Sequence, residues 1–322
     1  KILVTGCAGF IGFHLCKKLI KDKKFQIFGI DNLNNYYDSG LKKNRLKILL
    51  DYSSNFKFYK IDIANSESVI NNFKKNKYDI VINLAAQAGV RHSIKKPRDY
   101  VNSNLLGFFN ILDASKNIDV KHFLFASTSS VYGRAEKFPM KEENDTSKPL
   151  SFYAATKKSN EVMAYSYSNI HNIPITCLRF FTVFGPYGRP DMSLFKFSKS
   201  IYEKKVMELF NGGDHIRDFT YVDDVVSSIK KLIIKKPKTK IPYEVYNISH
   251  STPKSLKYFL NTIEKEIGEK TKIILKPMQL GDTYKTHASI KKLESVIGKI
   301  KKTKLETGVK KFIRWYNNYY KN

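Results

Sequence analysis

The sequence predicts an α/β fold, a doubly wound parallel sheet with a smaller, mostly helical C-terminal lobe. Three observations predict it. Short, continuously apolar runs alternate with segments of helical spacing up to Phe180, the pattern of parallel strands covered on both faces by helices. Gly6, Gly9 and Gly12 fall between the first apolar run and the first helix. Beyond Phe181 the alternation gives way to loop and helix.

Residues 1–5 read as a buried strand, because Ile2, Leu3 and Val4 leave no polar face. The turn Gly6-Cys7-Ala8-Gly9-Phe10-Ile11-Gly12 follows, then an amphipathic helix carrying Phe13, Leu15, Cys16, Leu19 and Ile20. Residues 26–30 form the second strand, which ends at Asp31. Glycines in such a turn let the backbone approach a pyrophosphate at the helix N-terminus, whose partial positive charge suits the anion. An acid at the end of the second strand can hold the adenosine ribose hydroxyls, a preference for NAD over NADP. The spacing is GxxGxxG, not GxGxxG.

Residues 56–63, 79–86, 121–127 and 175–180 read as the next four strands, with helices at 66–75, 101–117 and 153–171. The third strand ends in Asp62-Ile63 and the fourth in Leu84-Ala85-Ala86. Ligands in doubly wound folds bind at the carboxyl ends of the strands, where these residues fall. Residues 193–204 and 222–234 read as helices, and 244–248 as a strand that could complete the sheet. The basic remainder, 250–322, ends in a helix rich in Phe312, Trp315, Tyr316, Tyr319 and Tyr320. This divides the chain into 1–180 with about 219–249 as the dinucleotide-binding domain, and 181–218 with 250–322 as the substrate lobe.

Composition narrows the classes. With 42% hydrophobic and 27% charged residues the chain is an ordinary globular one, and no apolar run is long enough to span a bilayer. Three scattered cysteines, Cys7, Cys16 and Cys177, suit a reducing cytoplasm and argue against a disulfide framework or structural zinc. The seven histidines form no metal-spaced cluster, so no metal is expected. A formal charge of +28 would suit nucleic acid, a membrane or an anionic substrate. The lysines are spread along the whole chain in an Ile- and Asn-rich composition, so a solvated basic surface is the simpler cause. No nucleic-acid or membrane partner is expected.

Tyr153 and Lys157 are four apart at the start of the helix at 153–171, so they share a face. A free tyrosine is a poor base, with a pKa of about 10. An ammonium beside it favours the phenolate and can bring it toward neutrality.

Together, Gly6-x-x-Gly9-x-x-Gly12, Asp31, Asp62-Ile63, Leu84-Ala85-Ala86, the serine-rich end of the fifth strand and Tyr153-x-x-x-Lys157 resemble the extended short-chain dehydrogenase/reductase family. The likeness covers nearly the whole chain and implies a Rossmann domain. Within the family it is closest to the UDP-glucuronate 4-epimerases. That finer likeness rests on Asp31 to Asp38, Ala85 to Arg91, Tyr153 to Lys158, Arg179 to Met192, Arg217 to Asp224 and Lys311 to Tyr316. The resemblance implies bound NAD, held by Gly6, Gly9, Phe10, Ile11, Gly12, Asp31, Asn32, Asp62, Ile63, Leu84, Ala85, Ala86, Asn104, Tyr153, Lys157 and Phe180. It implies Tyr153 as the base at the sugar C4 hydroxyl, Lys157 on the nicotinamide ribose, and Thr128 as a proton relay.

Sugar 4,6-dehydratases of the family carry Asp-Glu where Ser129-Ser130 stand, and related decarboxylases carry a Glu. Two serines suit a substrate carboxylate whose C5 proton is left alone. The resemblance extends the carboxylate pocket to Thr182, counts Ser127, Thr128 and Ser129 among the substrate-binding residues, and directs Arg217, Arg189 and Arg91 to the UDP part. The guanidinium fork suits both diphosphate and carboxylate. It also implies a homodimer built on the helices at 101–116 and 153–171. Competing readings are a UDP-glucose or UDP-N-acetylglucosamine 4-epimerase, a dTDP-glucose 4,6-dehydratase, and a non-catalytic NAD- or nucleic-acid-binding protein.

Overall fold

The computed structural model describes residues 1–52 and 54–321. Seven parallel strands form the central sheet: β1 (Ile2–Thr5), β2 (Ile27–Asp31), β3 (Phe56–Lys60), β4 (Ile80–Asn83), β5 (His122–Thr128), β6 (Ile175–Phe180) and β7 (Tyr243–Ile248). Their order is β7-β6-β5-β4-β1-β2-β3, every neighbour parallel. From β1 the chain winds outward through β2 and β3, then returns to β4 on the other side of β1. A crevice therefore opens at the carboxyl ends of β1 and β4, the expected ligand position in such a sheet.

Both faces of the strands are apolar, with the side chains alternating between them. Ile2, Val4, Leu124 and Leu178 join one core with Phe13, Leu15 and Leu19 of helix α1 (Phe10–Ile20) and Val225 and Ile229 of the helix Val222–Leu232. Leu3, Phe123, Phe125 and Ile175 join the opposite core with Val69, Phe73, Phe108, Ile111 and Ala164. A third core has Phe195, Phe219, Phe259, Phe312 and Tyr316 at its centre. It lies largely in the C-terminal lobe, so the aromatic terminal helix Leu305–Tyr320 is core, not surface. No helix among the described residues is long and apolar enough to cross a membrane.

Three segments differ from the expectation. A helix at Ser39–Tyr52 was not anticipated; it buries Leu41 and Leu49, and an Asn- and Tyr-rich stretch before it obscures its start. The helix expected at 101–117 begins with a π-helical turn, Val101–Leu106, before the α-helix Gly107–Lys116. The C-terminal lobe contains a short parallel ribbon, Met207–Phe210 with Ile273–Lys276, in addition to its helices.

Candidate active site

A cavity of about 390 Å³ opens at the carboxyl ends of β1, β4, β5 and β6. The glycine turn forms one wall, and its shape explains why three glycines are needed. Gly6 has φ +69, and a Cβ there would stand 2.8 Å from the Ala85 amide nitrogen. A Cβ on Gly12 would stand 2.1 Å from the Gly6 carbonyl oxygen. The turn packs on itself and on the end of β4, and the first turn of α1 faces the cavity. Asp31 closes this end, accepting bonds from the Leu33 amide at 2.8 Å and the Ala8 amide at 3.1 Å. Burial raises its pKa, while those bonds and the charges of Lys42 and Arg45 oppose the rise. An ionised carboxylate retains further acceptor positions toward the cavity. Asp62 accepts from the Asn32 amide at 3.0 Å, and Ile63, Leu84, Ala85, Ala86 and Phe180 complete this wall. This backbone cradle and donor set fit a dinucleotide.

Across the cavity stand Tyr153 and Lys157. The helix Phe152–His171 starts where expected, one residue earlier, because the Ser151 hydroxyl accepts from the Ala154 amide as its N-cap. Tyr153, Lys157, Thr128, Ser129, Thr182 and Arg189 all line the cavity. The Thr128 hydroxyl accepts from the Ser130 amide at 3.2 Å, which orders the end of β5.

The electrostatics differ from expectation. Burial pushes the Tyr153 hydroxyl up from the ordinary tyrosine value, and the groups acting against this are the Thr128 hydroxyl and then the Arg189 guanidinium. Lys157 does not contribute as anticipated, because its ammonium donates to the Ala126 carbonyl at 2.8 Å. Burial lowers Lys157 itself to about 8. Burial thus favours the neutral phenol at Tyr153.

Four more of the expected residues are held by other partners or stand away from this group. Asn104 does not face the cavity: it is 1% exposed and binds both backbone groups of Gln87 and the Thr156 hydroxyl, so it braces the wall from behind. Ser127 lines the cavity, and its hydroxyl donates to Glu161 at 2.6 Å. Arg217 and Arg91 do not line the cavity. Arg217 donates to Asp282 at 2.7 Å, while Arg91 is exposed over the Phe210 ring. The two arginines feel each other's charge, and Arg91 also acts on His215 and Lys196, so a basic patch forms outside the cavity. Arg189, inside, is held by an ion pair with Asp191, which also accepts from Tyr36 at 3.2 Å.

The NAD dependent epimerase/dehydratase family model matches residues 2–249. The chain belongs to this family. It is 44% identical to Protein CapI of Staphylococcus aureus, over 100% of this chain and 99% of that protein. It is 40% identical to the probable UDP-glucuronate 4-epimerase of Rhizobium meliloti, over 100% of this chain and 98% of the relative. Its fold superposes with a TM-score of 0.92 on the crystal structure of UDP-glucuronic acid 4-epimerase from Bacillus cereus in complex with UDP-glucuronic acid and NAD. That pair shares 33% identity and covers 99% of each chain.

Several residues of this family member's site were not anticipated from sequence. Lys42 lines the cavity beside Asp31, and its ammonium is tied to the Asn34 backbone carbonyl at 2.8 Å. Buried Arg45 holds the Ala8 carbonyl at 2.9 Å and the Tyr187 carbonyl at 2.6 Å, joining the glycine turn to the loop that carries Arg189. Both lie on the unanticipated helix Ser39–Tyr52; its buried Leu41 and Leu49 were the available signal.

Proposed function

We propose that the chain is an NAD-dependent UDP-glucuronate 4-epimerase, interconverting UDP-glucuronate and UDP-galacturonate through a transient 4-keto sugar. The observation that carries this reading is the end of β5. There Thr128, Ser129 and Ser130 border the cavity beside Tyr153, and the carboxylates lining the cavity, among the described residues, are Asp31 and Asp62 on the β2–β3 side. Hydroxyls at that position can orient a substrate carboxylate but cannot act as the acid and base that elimination needs. The likeness to a solved enzyme that holds UDP-glucuronic acid and NAD supports the same substrate.

When bound, NAD would be held by the glycine turn and Asp31 and would supply reversible two-electron oxidation of the sugar C4, its cationic nicotinamide favouring the Tyr153 phenolate. Tyr153 takes the proton of the C4 hydroxyl and later returns it, with Thr128 bonded to the same hydroxyl as a relay. Lys157 holds the nicotinamide ribose. Ser129 and Thr182 orient the C5 carboxylate, so the C5 proton stays in place. Arg189 takes the inner end of the diphosphate, and the patch of Arg217 and Arg91 attracts the UDP from outside. The residues at 181–218 and 250–322 form the lobe that binds the nucleotide sugar.

The purified protein, incubated with UDP-glucuronate and no added cofactor, is expected to form UDP-galacturonate by NMR. Turnover of UDP-glucose or UDP-N-acetylglucosamine in its place would reassign the chain to a neutral-sugar epimerase. A 4-keto-6-deoxy product would overturn the argument from Ser129 and Ser130. Nucleic-acid binding without sugar turnover would support the non-catalytic reading.

A homodimer is part of this reading. Val101, Leu106, Phe109, Val162 and Tyr165 are exposed apolar residues on the two segments expected to pair with their twins. Light scattering is expected to give twice 37.2 kDa; a monomer at micromolar concentration would count against it.

A further inference from the structure

A buried polar cluster lies directly behind the Tyr153–Lys157 pair. Glu161 is one helical turn beyond Lys157, on the same face. It and Arg179 of β6 are each 4% exposed. The Glu161 carboxylate accepts from the Ser127 hydroxyl at 2.6 Å, from Arg179 Nε at 2.9 Å and from Arg179 Nη2 at 2.8 Å. Arg179 is anchored in turn, donating to the Tyr132 hydroxyl and the Glu142 carbonyl, both at 2.9 Å.

We propose that Glu161 is a positioning residue for the catalytic pair: it docks the helix against the ends of β5 and β6 and sets an anion one helical turn from Lys157. This rests on the reading of Tyr153 as the base of an epimerase. The docking follows from position. Ser127 lies between Ala126, whose carbonyl receives Lys157, and Thr128, whose hydroxyl opposes the raised pKa of Tyr153. Arg179 precedes Phe180, which lines the cavity. One carboxylate therefore ties the helix that bears Tyr153 and Lys157 to the two strands whose ends line the cavity.

The charge argument considers every element around Lys157. From its own helix come Tyr153, Glu161 and Lys158, the last 3.7 Å from Glu161. From β5 comes the Ala126 carbonyl and from β6 Cys177, while Arg179 and Tyr243 act on Glu161 and Cys177 and Arg189 acts on Tyr153. Burial pushes the Cys177 thiol and the Tyr243 phenol well up, so both are neutral at pH 7. Burial alone would raise Glu161 too, but the bonds from Arg179 and Ser127 overcome it and hold the group below the usual carboxylate range. Glu161 is then the anion facing Lys157. Burial has already lowered Lys157 to about 8, with Cys177 and Glu161 opposing that fall. An ammonium of lowered pKa loses its proton as pH rises, so removing the anion moves that loss to lower pH.

The test compares wild type, Glu161→Gln and the double variant Glu161→Gln/Arg179→Met, which removes both buried charges. The double variant keeps the test valid should the single one fail to fold with Arg179 left unpaired. The pH profile of kcat/KM for UDP-glucuronate is measured, and the Lys157 ammonium is titrated by 13C NMR of lysine-labelled protein, assigned with Lys157→Met. The single variant is expected to lose thermal stability and the double to regain much of it. The single variant, which leaves the Arg179 charge unopposed, is expected to show the alkaline limb and the Lys157 titration about one pH unit lower than wild type, and the double variant a smaller fall in the same direction. Wild-type titration and limb in every variant that folds would overturn the proposal and leave Glu161 a structural residue only. A wild-type protein inert toward UDP-glucuronate would instead overturn the functional reading, and the NMR titration would decide the role of Glu161 by itself.

Discussion

Tyr153→Phe is expected to lower kcat for UDP-glucuronate by about 10²- to 10⁴-fold, the usual contribution of a positioned general base. The ring will stay in place, because Tyr153 packs edge-on to Tyr100 with centroids 6.0 Å apart, and Phe preserves that contact. The Lys157 bond to Ala126 and the glycine turn are untouched, so NAD released by heating and quantified should match wild type. Loss of turnover with full NAD content assigns the defect to the hydroxyl. A near-normal rate would remove Tyr153 as the base.

Gly12→Ala is expected to weaken NAD binding about 5- to 150-fold, because overpacking against rigid neighbours costs about 1–3 kcal/mol. The added Cβ would stand 2.1 Å from the Gly6 carbonyl oxygen, which itself accepts from the Gly9 amide at 2.9 Å. Neither backbone can yield without opening the turn that faces the cofactor. Gly268→Ala is the control for strain away from the cavity: at φ +84 an alanine costs stability, but no atom lies within 4 Å of its Cβ position and NAD affinity is expected to hold. Calorimetric titration with NAD after stripping should separate the two. Equal affinity in wild type and Gly12→Ala would mean that the cofactor does not sit on this turn.

The parts of the molecule legible in the sequence are those set by local pattern. Apolar runs located the inner sheet strands, since a strand buried on both faces has no polar alternation to confuse it, and the edge strands β3 and β7 were legible from their aromatic and β-branched residues. The glycine turn, Asp31 and the Tyr153–Lys157 spacing were readable because each motif sits at a strand end or a helix start. What was not readable depends on where long side chains turn in three dimensions. Spacing put Lys157 on the Tyr153 face, but could not show its ammonium turned onto the Ala126 carbonyl. Ser127, Ser129 and Ser130 look alike in sequence, yet the Ser127 hydroxyl is committed to Glu161. Asn104 looked like a cofactor ligand, but the π-helical turn directs it at Gln87 and Thr156. Arg217 looked like Arg189, but Asp282, 65 residues further on, holds it outside the cavity. Glu161 was within reach of the same four-residue spacing that singled out Tyr153 and Lys157, and Arg179 on β6 is what gives it a role.

The central claim is oxidation and return at C4, with the C5 proton undisturbed. It is tested most directly with UDP-glucuronate deuterated at C4, incubated in ordinary water with the protein and no added cofactor. The account predicts UDP-galacturonate that keeps its deuterium at C4 and its original hydrogen at C5. Product that has lost the C4 label to solvent, or exchanged at C5, would contradict it.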